Sequence, residues 1–464
     1  MAGNTPEGRA GDRAKSGERV ESVGSIESAK GVESVESVAR GTLINLATRT
    51  AGVAAVLAIT AVTARISTQA QGTFALFTSV EGVMLALLSG FGIALARRVS
   101  HHGEEPRAWV SAMVWACLGL GLVVAAALAA LSIWGPPAYR WVGLLALAAP
   151  LLLLPANLAG WWLGQGRMAP MARVSLLPPC LTLLLLAALW LAGRGGVGEV
   201  LASWVAAKVA LALGLLWVFW RTARLARPDF AALRADLPFV ATIGLTNLIG
   251  LLNYRVGLFV VERLLGLSAT GVYSIAVVVA ELLWFVSGSL TQAVYGRIGT
   301  PDAARAAATT VRVLQLSISA LLLAAPALWL LAWTVLPRAL GPDYAASLLP
   351  LAVLLPGALL FGGASALSAW FTNHAGRPQV PAQVAAGSLA LNALLCVLLV
   401  PHWGMSGAAL AASVSYAASV GLLAWRFARA AGLPLAQVLL PGAQWRHDVA
   451  TLLGLVGMPK GGGR

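Results

Sequence analysis

Long apolar runs alternate with short polar links along most of this chain, and the runs have the length of membrane spans. A helix crosses the hydrocarbon layer in about 20 residues. Runs of that order lie near 41–63, 73–96, 108–134, 141–164, 172–193, 197–220, 238–261, 270–295, 311–336, 344–372, 379–400 and 405–425. The pattern predicts an all-α polytopic membrane protein with about twelve transmembrane helices. Pro155, Pro178, Pro179, Pro326 and Pro356 fall inside predicted spans, where neighbouring helices satisfy the freed backbone groups. Residues 1–40 are polar, with near-repeats such as Glu21-Ser22-Val23 and Glu33-Ser34-Val35, and are predicted to be a disordered cytoplasmic tail. The stretch 433–458 is apolar but interrupted by Gln444-Trp445-Arg446-His447-Asp448, so 431–464 is predicted to be a cytoplasmic tail, interfacial or loosely held.

Composition sharpens this picture. Of the 464 residues 59% are hydrophobic and only 11% charged, against about 25% charged in soluble domains. So few charges cannot cover a soluble surface of this size. The net charge of +14 does not point to nucleic acid, because the basic residues gather at span ends. With a cytoplasmic amino terminus, 24 of the 32 Lys and Arg fall on the inner side, five on the outer side and three within spans. That asymmetry fits the positive-inside rule with both termini cytoplasmic. Cys117, Cys180 and Cys396 sit singly in apolar runs, without metal or disulfide spacing.

The longest cytoplasmic link, 221–237, alternates basic and apolar residues and is predicted to lie on the headgroups. It separates a first six-helix lobe, 41–220, from a second, 238–430. The halves look related. Ala70-Gln71-Gly72-Thr73-Phe74 matches Ala269-Thr270-Gly271-Val272-Tyr273 at an offset of 199, and Gly166-Arg167 pairs with Gly376-Arg377. A six-helix repeat in one orientation predicts two pseudo-symmetric lobes around a central cavity, as in alternating-access transporters.

Two stretches carry a family resemblance. Residues 42–100 run from Thr42-Leu43-Ile44-Asn45 through Gly72-Thr73-Phe74-Ala75-Leu76-Phe77 to Gly90-Phe91-Gly92-Ile93-Ala94-Leu95-Ala96-Arg97-Arg98. Residues 389–416 contain Leu391-Asn392, Pro401, Gly404-Met405-Ser406-Gly407-Ala408-Ala409, Ser413 and Ser415. From about 41 to 430 the chain resembles bacterial polysaccharide flippases of the multidrug/oligosaccharidyl-lipid/polysaccharide exporter superfamily. The resemblance implies two bundles forming a V in the bacterial plasma (inner) membrane. It also implies a polyprenyl-diphosphate-linked oligosaccharide as substrate, for O-antigen, capsule or exopolysaccharide assembly. A polysaccharide polymerase is an expected partner.

Such a cargo needs cations for the diphosphate and polar or aromatic groups for sugars, and ionisable residues inside spans are functional candidates by default. Arg255 lies deep in the seventh span within Asn253-Tyr254-Arg255, and a guanidinium holds phosphate through a two-pronged fork. Pairing with Glu262, seven residues on, is the bland alternative. Arg49 in the first span has Asn45 one turn before it, and in the resembled family the first and seventh helices line the cavity. Lys208 lies mid-way along the sixth span. Glu81 and Glu281 occupy the second and eighth spans, 200 positions apart, and either couple transport to a proton or Na+ gradient or pair with a cation. No cofactor is called for, since no Gly-Lys-Ser/Thr phosphate loop is present. Trp109, Trp161, Trp162 and others near span ends are expected at headgroup level, Trp284 and Trp370 are deeper, and His374 and His402 are expected in solvated links.

Two superfamily alternatives remain. A lipid II flippase branch commonly has two further helices, and a drug/cation antiporter often has an Asp in the first helix, where this chain has Arg49. A polymerase or ligase enzyme would need a large external loop, and the external links here have about ten residues or fewer.

Overall fold

The computed structural model describes residues 48, 50–102, 106–222 and 224–440. Asn45, Arg49, the polar segment 1–40 and residues 441–464 lie outside the described residues. The first lobe comprises α1 (Thr50–Ile66), α2 (Thr68–Leu88), α3 (Gly90–His102), α4 (Arg107–Trp134), α5 (Gly143–Leu152), α6 (Leu154–Leu158), α7 (Gly160–Gly164), α8 (Met168–Leu191) and α9 (Val197–Arg221). The second comprises α10 (Phe230–Glu281), α11 (Leu283–Ala293), α12 (Tyr295–Ile298), α13 (Ala303–Ala339), α14 (Leu348–Ala369), α15 (Gln379–Ala431) and α16 (Leu435–Leu439). Among the described residues there are no strands.

Nine helical segments among the described residues are long and apolar enough to cross a bilayer. Two of them are hairpins. An unbroken helix of α10's 52 residues would measure about 80 Å, more than twice the hydrocarbon thickness. Gly266 breaks it with φ 84°, and Gly404 breaks α15 with φ 57°. Both need the left-handed region that L side chains resist. The reversal is visible in contacts: Ser388 and Ser415, 27 residues apart in α15, are joined by a hydrogen bond of 3.2 Å. Counting both hairpins twice and adding the shorter apolar α1 gives the twelve predicted spans.

Boundaries differ from the sequence reading in physical detail. The helix predicted to begin at 238 begins at Phe230, because the Asp229 side chain caps it by accepting from the Ala232 amide. Residues 230–237, expected within a linker lying on the headgroups, are therefore the first turns of α10. Leu233 and Val240 pack into the core of the first lobe, among Phe77, Trp109 and Leu145. Residues further along α10 join the second lobe's core with Tyr273, Tyr344 and Tyr416, and Ala64 of α1 joins them there. The repeat glycines Gly166 and Gly376 play one role: both have positive φ, 68° and 62°, and end a helix in the left-handed conformation.

Large apolar side chains cover the outside, with Leu147 84% and Trp134 82% exposed, as a lipid-facing surface requires. Three of the expected headgroup anchors are corrected. Trp109, Trp161 and Trp162 are buried in the first lobe's core, and Trp161 and Trp162 both meet the Phe219 ring edge-on. Span-end position alone does not say which way an indole turns.

Candidate functional site

The two lobes meet where their repeat sequences match. A Cβ on Gly72 would stand 1.9 Å from the Leu267 carbonyl oxygen, and a Cβ on Gly271 would stand 1.9 Å from that of Thr68. The contact is reciprocal, because 271 exceeds 72 by the same 199 residues that separate 267 from 68. A pseudo-twofold axis therefore passes between α2 and the second half of α10, at the ends predicted to be external. Only glycine permits this backbone approach. Polar bonds surround it: Thr68 and Ser268 hydroxyls lie 3.2 Å apart, and the Gln71 amide donates to Ser274 Oγ at 3.1 Å. Tyr344 donates to the Ala64 carbonyl at 3.3 Å, and Arg65 donates to the Arg338 and Ala339 carbonyls. The lobes are closed at this end.

Deeper in the spans each lobe holds an ion pair among the described residues. In the first, Lys208 Nζ lies 2.6 Å from Glu81 Oε1, and the Trp204 indole donates to Oε2 at 2.8 Å. The ammonium also stands 4.2 Å over the Trp204 ring. Glu81 is buried, and its two contacts, with Lys208 and Trp204, offset the loss of its hydration. In the second lobe, Arg255 pairs with Glu281, with Nη1 3.1 Å from Oε1 and Nη2 donating to Oε2 at 3.3 Å. Both side chains remain about a quarter exposed. Glu262, the partner suggested by helical spacing, instead lies beside Tyr139 and Arg263 near the closed end.

The acids are 200 apart whereas the repeat offset is 199. One residue turns a helix by about 100°. That slip explains the unlike partners: Glu81 faces α9, while Glu281 faces the first half of its own hairpin.

Asn253 and Tyr254, expected beside the substrate, are engaged within the second lobe. The Asn253 amide donates to Ser388 Oγ at 3.1 Å, and the Asn392 amide donates to the Asn253 carbonyl at 3.0 Å. Tyr254 packs against Trp284, Phe361 and Tyr416 at ring separations of 4.9, 5.6 and 6.5 Å. A small cavity of about 10 Å³ lies between Tyr254, Glu281 and Asn392, room for about one water. Trp370 packs edge-on to Phe427, and His374, expected in a solvated link, bonds the Thr300 carbonyl through Nδ1 at 2.8 Å. The structure thus joins Lys208 to Glu81 and Arg255 to Glu281, and keeps the two pairs in separate lobes. Trp204 was missed, since nothing in its position one turn before Lys208 distinguishes it from a core indole.

No protein-family model matches the sequence, and no curated protein does. Solved structures do. The inward-facing conformation of a multidrug resistance MATE family transporter of the MOP superfamily superposes with a TM-score of 0.66 at 14% identity, covering 89% of this chain and 99% of that one. The fold is shared with that transporter. The lipid II flippase MurJ, in an inward closed conformation, gives a TM-score of 0.63 at 12% identity over 91% of this chain and 93% of its own. A MOP superfamily transporter from Pyrococcus furiosus gives 0.56 at 14% identity over 86% and 94%. These identities carry the multi-pass membrane fold and leave the cargo open.

Proposed function

We propose that this protein is a flippase that carries a polyprenyl-diphosphate-linked oligosaccharide from the inner to the outer leaflet of a bacterial inner membrane, for O-antigen, capsule or exopolysaccharide assembly. The observation that supports this reading is the charge inventory of the spans. Among the described residues both mid-span carboxylates, Glu81 and Glu281, already face a cation of their own lobe. The sequence places one further cation, Arg49, in the first span. The surplus is positive, which suits an anionic cargo and disfavours a cationic drug.

The mechanism follows from partner exchange. Arg255 is part-exposed and paired with one carboxylate; a diphosphate offers a fork of oxygens with more charge. When the cargo takes Arg255, Glu281 loses its counter-charge and binds a proton or Na+, which couples transport to an ion gradient. Rocking of the lobes then separates the Gly72–Gly271 contact and opens the far side. Both termini are cytoplasmic in this scheme, and a polysaccharide polymerase receives the product. Lipid II presents the same diphosphate, so the MurJ likeness keeps peptidoglycan precursor as the second reading.

The test is the leaflet location of polyprenyl-linked oligosaccharides in a strain lacking this protein. Complete units trapped on the cytoplasmic face are expected. Units accumulating on the outer face would refute the reading, and trapped lipid II in place of oligosaccharide would select the alternative.

A further inference from the structure

Apart from the lobe interface, a cavity of about 1100 Å³ opens at the end of the second lobe predicted to be cytoplasmic, between the start of α13, the turn after α14 and the end of α15. Three of its lining residues, Arg312, His374 and Arg377, are basic, and no lining residue is acidic. The face of α13 that carries Arg312 also lines it with Ala304, Ala308 and Val311. The cavity therefore joins a basic rim to an apolar trough, and its volume far exceeds that of an inorganic phosphate. Trp370 also lines the cavity and is 95% buried, its indole Nε1 closed off from the cavity space.

We infer that this cavity binds the headgroup of an anionic phospholipid from the adjoining leaflet. The phosphodiester would sit between Arg312 and Arg377, with its glycerol and upper acyl chain along the alanine face of α13. Basic pockets between membrane helices on the cytoplasmic side are suited to such headgroups. The lobe that must rock is then tethered to one class of lipid at the end opposite the glycine contact.

The test is native mass spectrometry of the full-length protein released from detergent micelles containing equimolar phosphatidylglycerol and phosphatidylcholine. Preferential retention of phosphatidylglycerol is expected. Arg312→Gln/Arg377→Gln is expected to lose roughly 25-fold of that preference, about fivefold for each arginine near an anionic headgroup. A308W removes no charge but blocks the trough from an exposed position, and is expected to abolish the preference as well; it covers the case in which the arginine variant does not fold. Equal retention of both lipids by the unmodified protein would overturn the inference. So would an undiminished preference in A308W, or complete displacement of the lipid by millimolar inorganic phosphate, which would identify a free-anion site instead.

Discussion

Gly72→Ala is the sharpest perturbation the structure offers. The new Cβ would stand 1.9 Å from the Leu267 oxygen, where ordinary contact begins at 3.4 Å, so α2 and the second half of α10 must part by about 1.5 Å. Overpacking of this kind costs about 1–3 kcal/mol. The strain exists only while the lobes are closed at this end. A cost of ~2 kcal/mol therefore shifts the closed-to-open equilibrium about 30-fold, at 1.4 kcal/mol per factor of ten. Cysteines replacing Thr68 and Ser268, whose hydroxyls are 3.2 Å apart, report closure through oxidative cross-linking. Cys117, Cys180 and Cys396 are first replaced, since all three are free thiols. The glycine protein is expected to cross-link readily, and Gly72→Ala to cross-link at least tenfold more slowly. A Cys at Gln71 should become correspondingly more reactive toward an impermeant maleimide. Unchanged rates in both assays would mean that the helices slide within their lobes, and would refute the assignment of Gly72 as a closure contact.

Glu81→Gln leaves Lys208 without its counter-charge and is expected to lower stability by about 3 kcal/mol, the lower end for a broken buried pair, whereas Glu81→Gln/Lys208→Met should recover most of that in a thermal unfolding assay. Arg255→Gln should reduce flipping in proteoliposomes more than tenfold with little change in melting temperature, and Arg255→Lys, which keeps charge but not the fork, should retain an intermediate rate. Gly404→Ala places a Cβ where φ is 57° and ψ −139°, a region essentially reserved for glycine, and should cost about 1–3 kcal/mol in thermal stability. Asn392→Leu removes the amide that binds the Asn253 carbonyl and should destabilise by about 1–3 kcal/mol through the polar groups left unpaired.

Span number and the two-lobe plan were legible because a bilayer forces every crossing segment to be long, apolar and helical. The repeat around Gly72 and Gly271 was legible too, since a shared backbone contact demands glycine at both places. Pairing was not. Helical spacing suggested Glu262 for Arg255, yet the partner is Glu281, 26 residues away across a reversal at Gly266. A one-dimensional pattern places the reversal between two spans but does not say which side chains meet across it. Asn392, Gly404, Gly407 and Ser413, prominent in the sequence, turn out to shape the second lobe: Ser413 bonds the Val353 carbonyl, and Gly407 lets the hairpin close on Leu399. Orientation of Trp109 and Trp161 was likewise invisible, because a residue near a span end can face lipid or core with equal ease.

The contact in which 72 touches 267 and 271 touches 68 has the form of an isologous interface, the kind two identical subunits make across a dyad. In a true homodimer every substitution appears twice, so a charge placed near the axis always confronts its own copy. Fusing the two copies in one chain lifts that rule. Position 81 can face a lysine of α9 while 281 faces an arginine of α10, an asymmetry that exact duplication forbids and that gives one polypeptide two distinguishable acid–base couples.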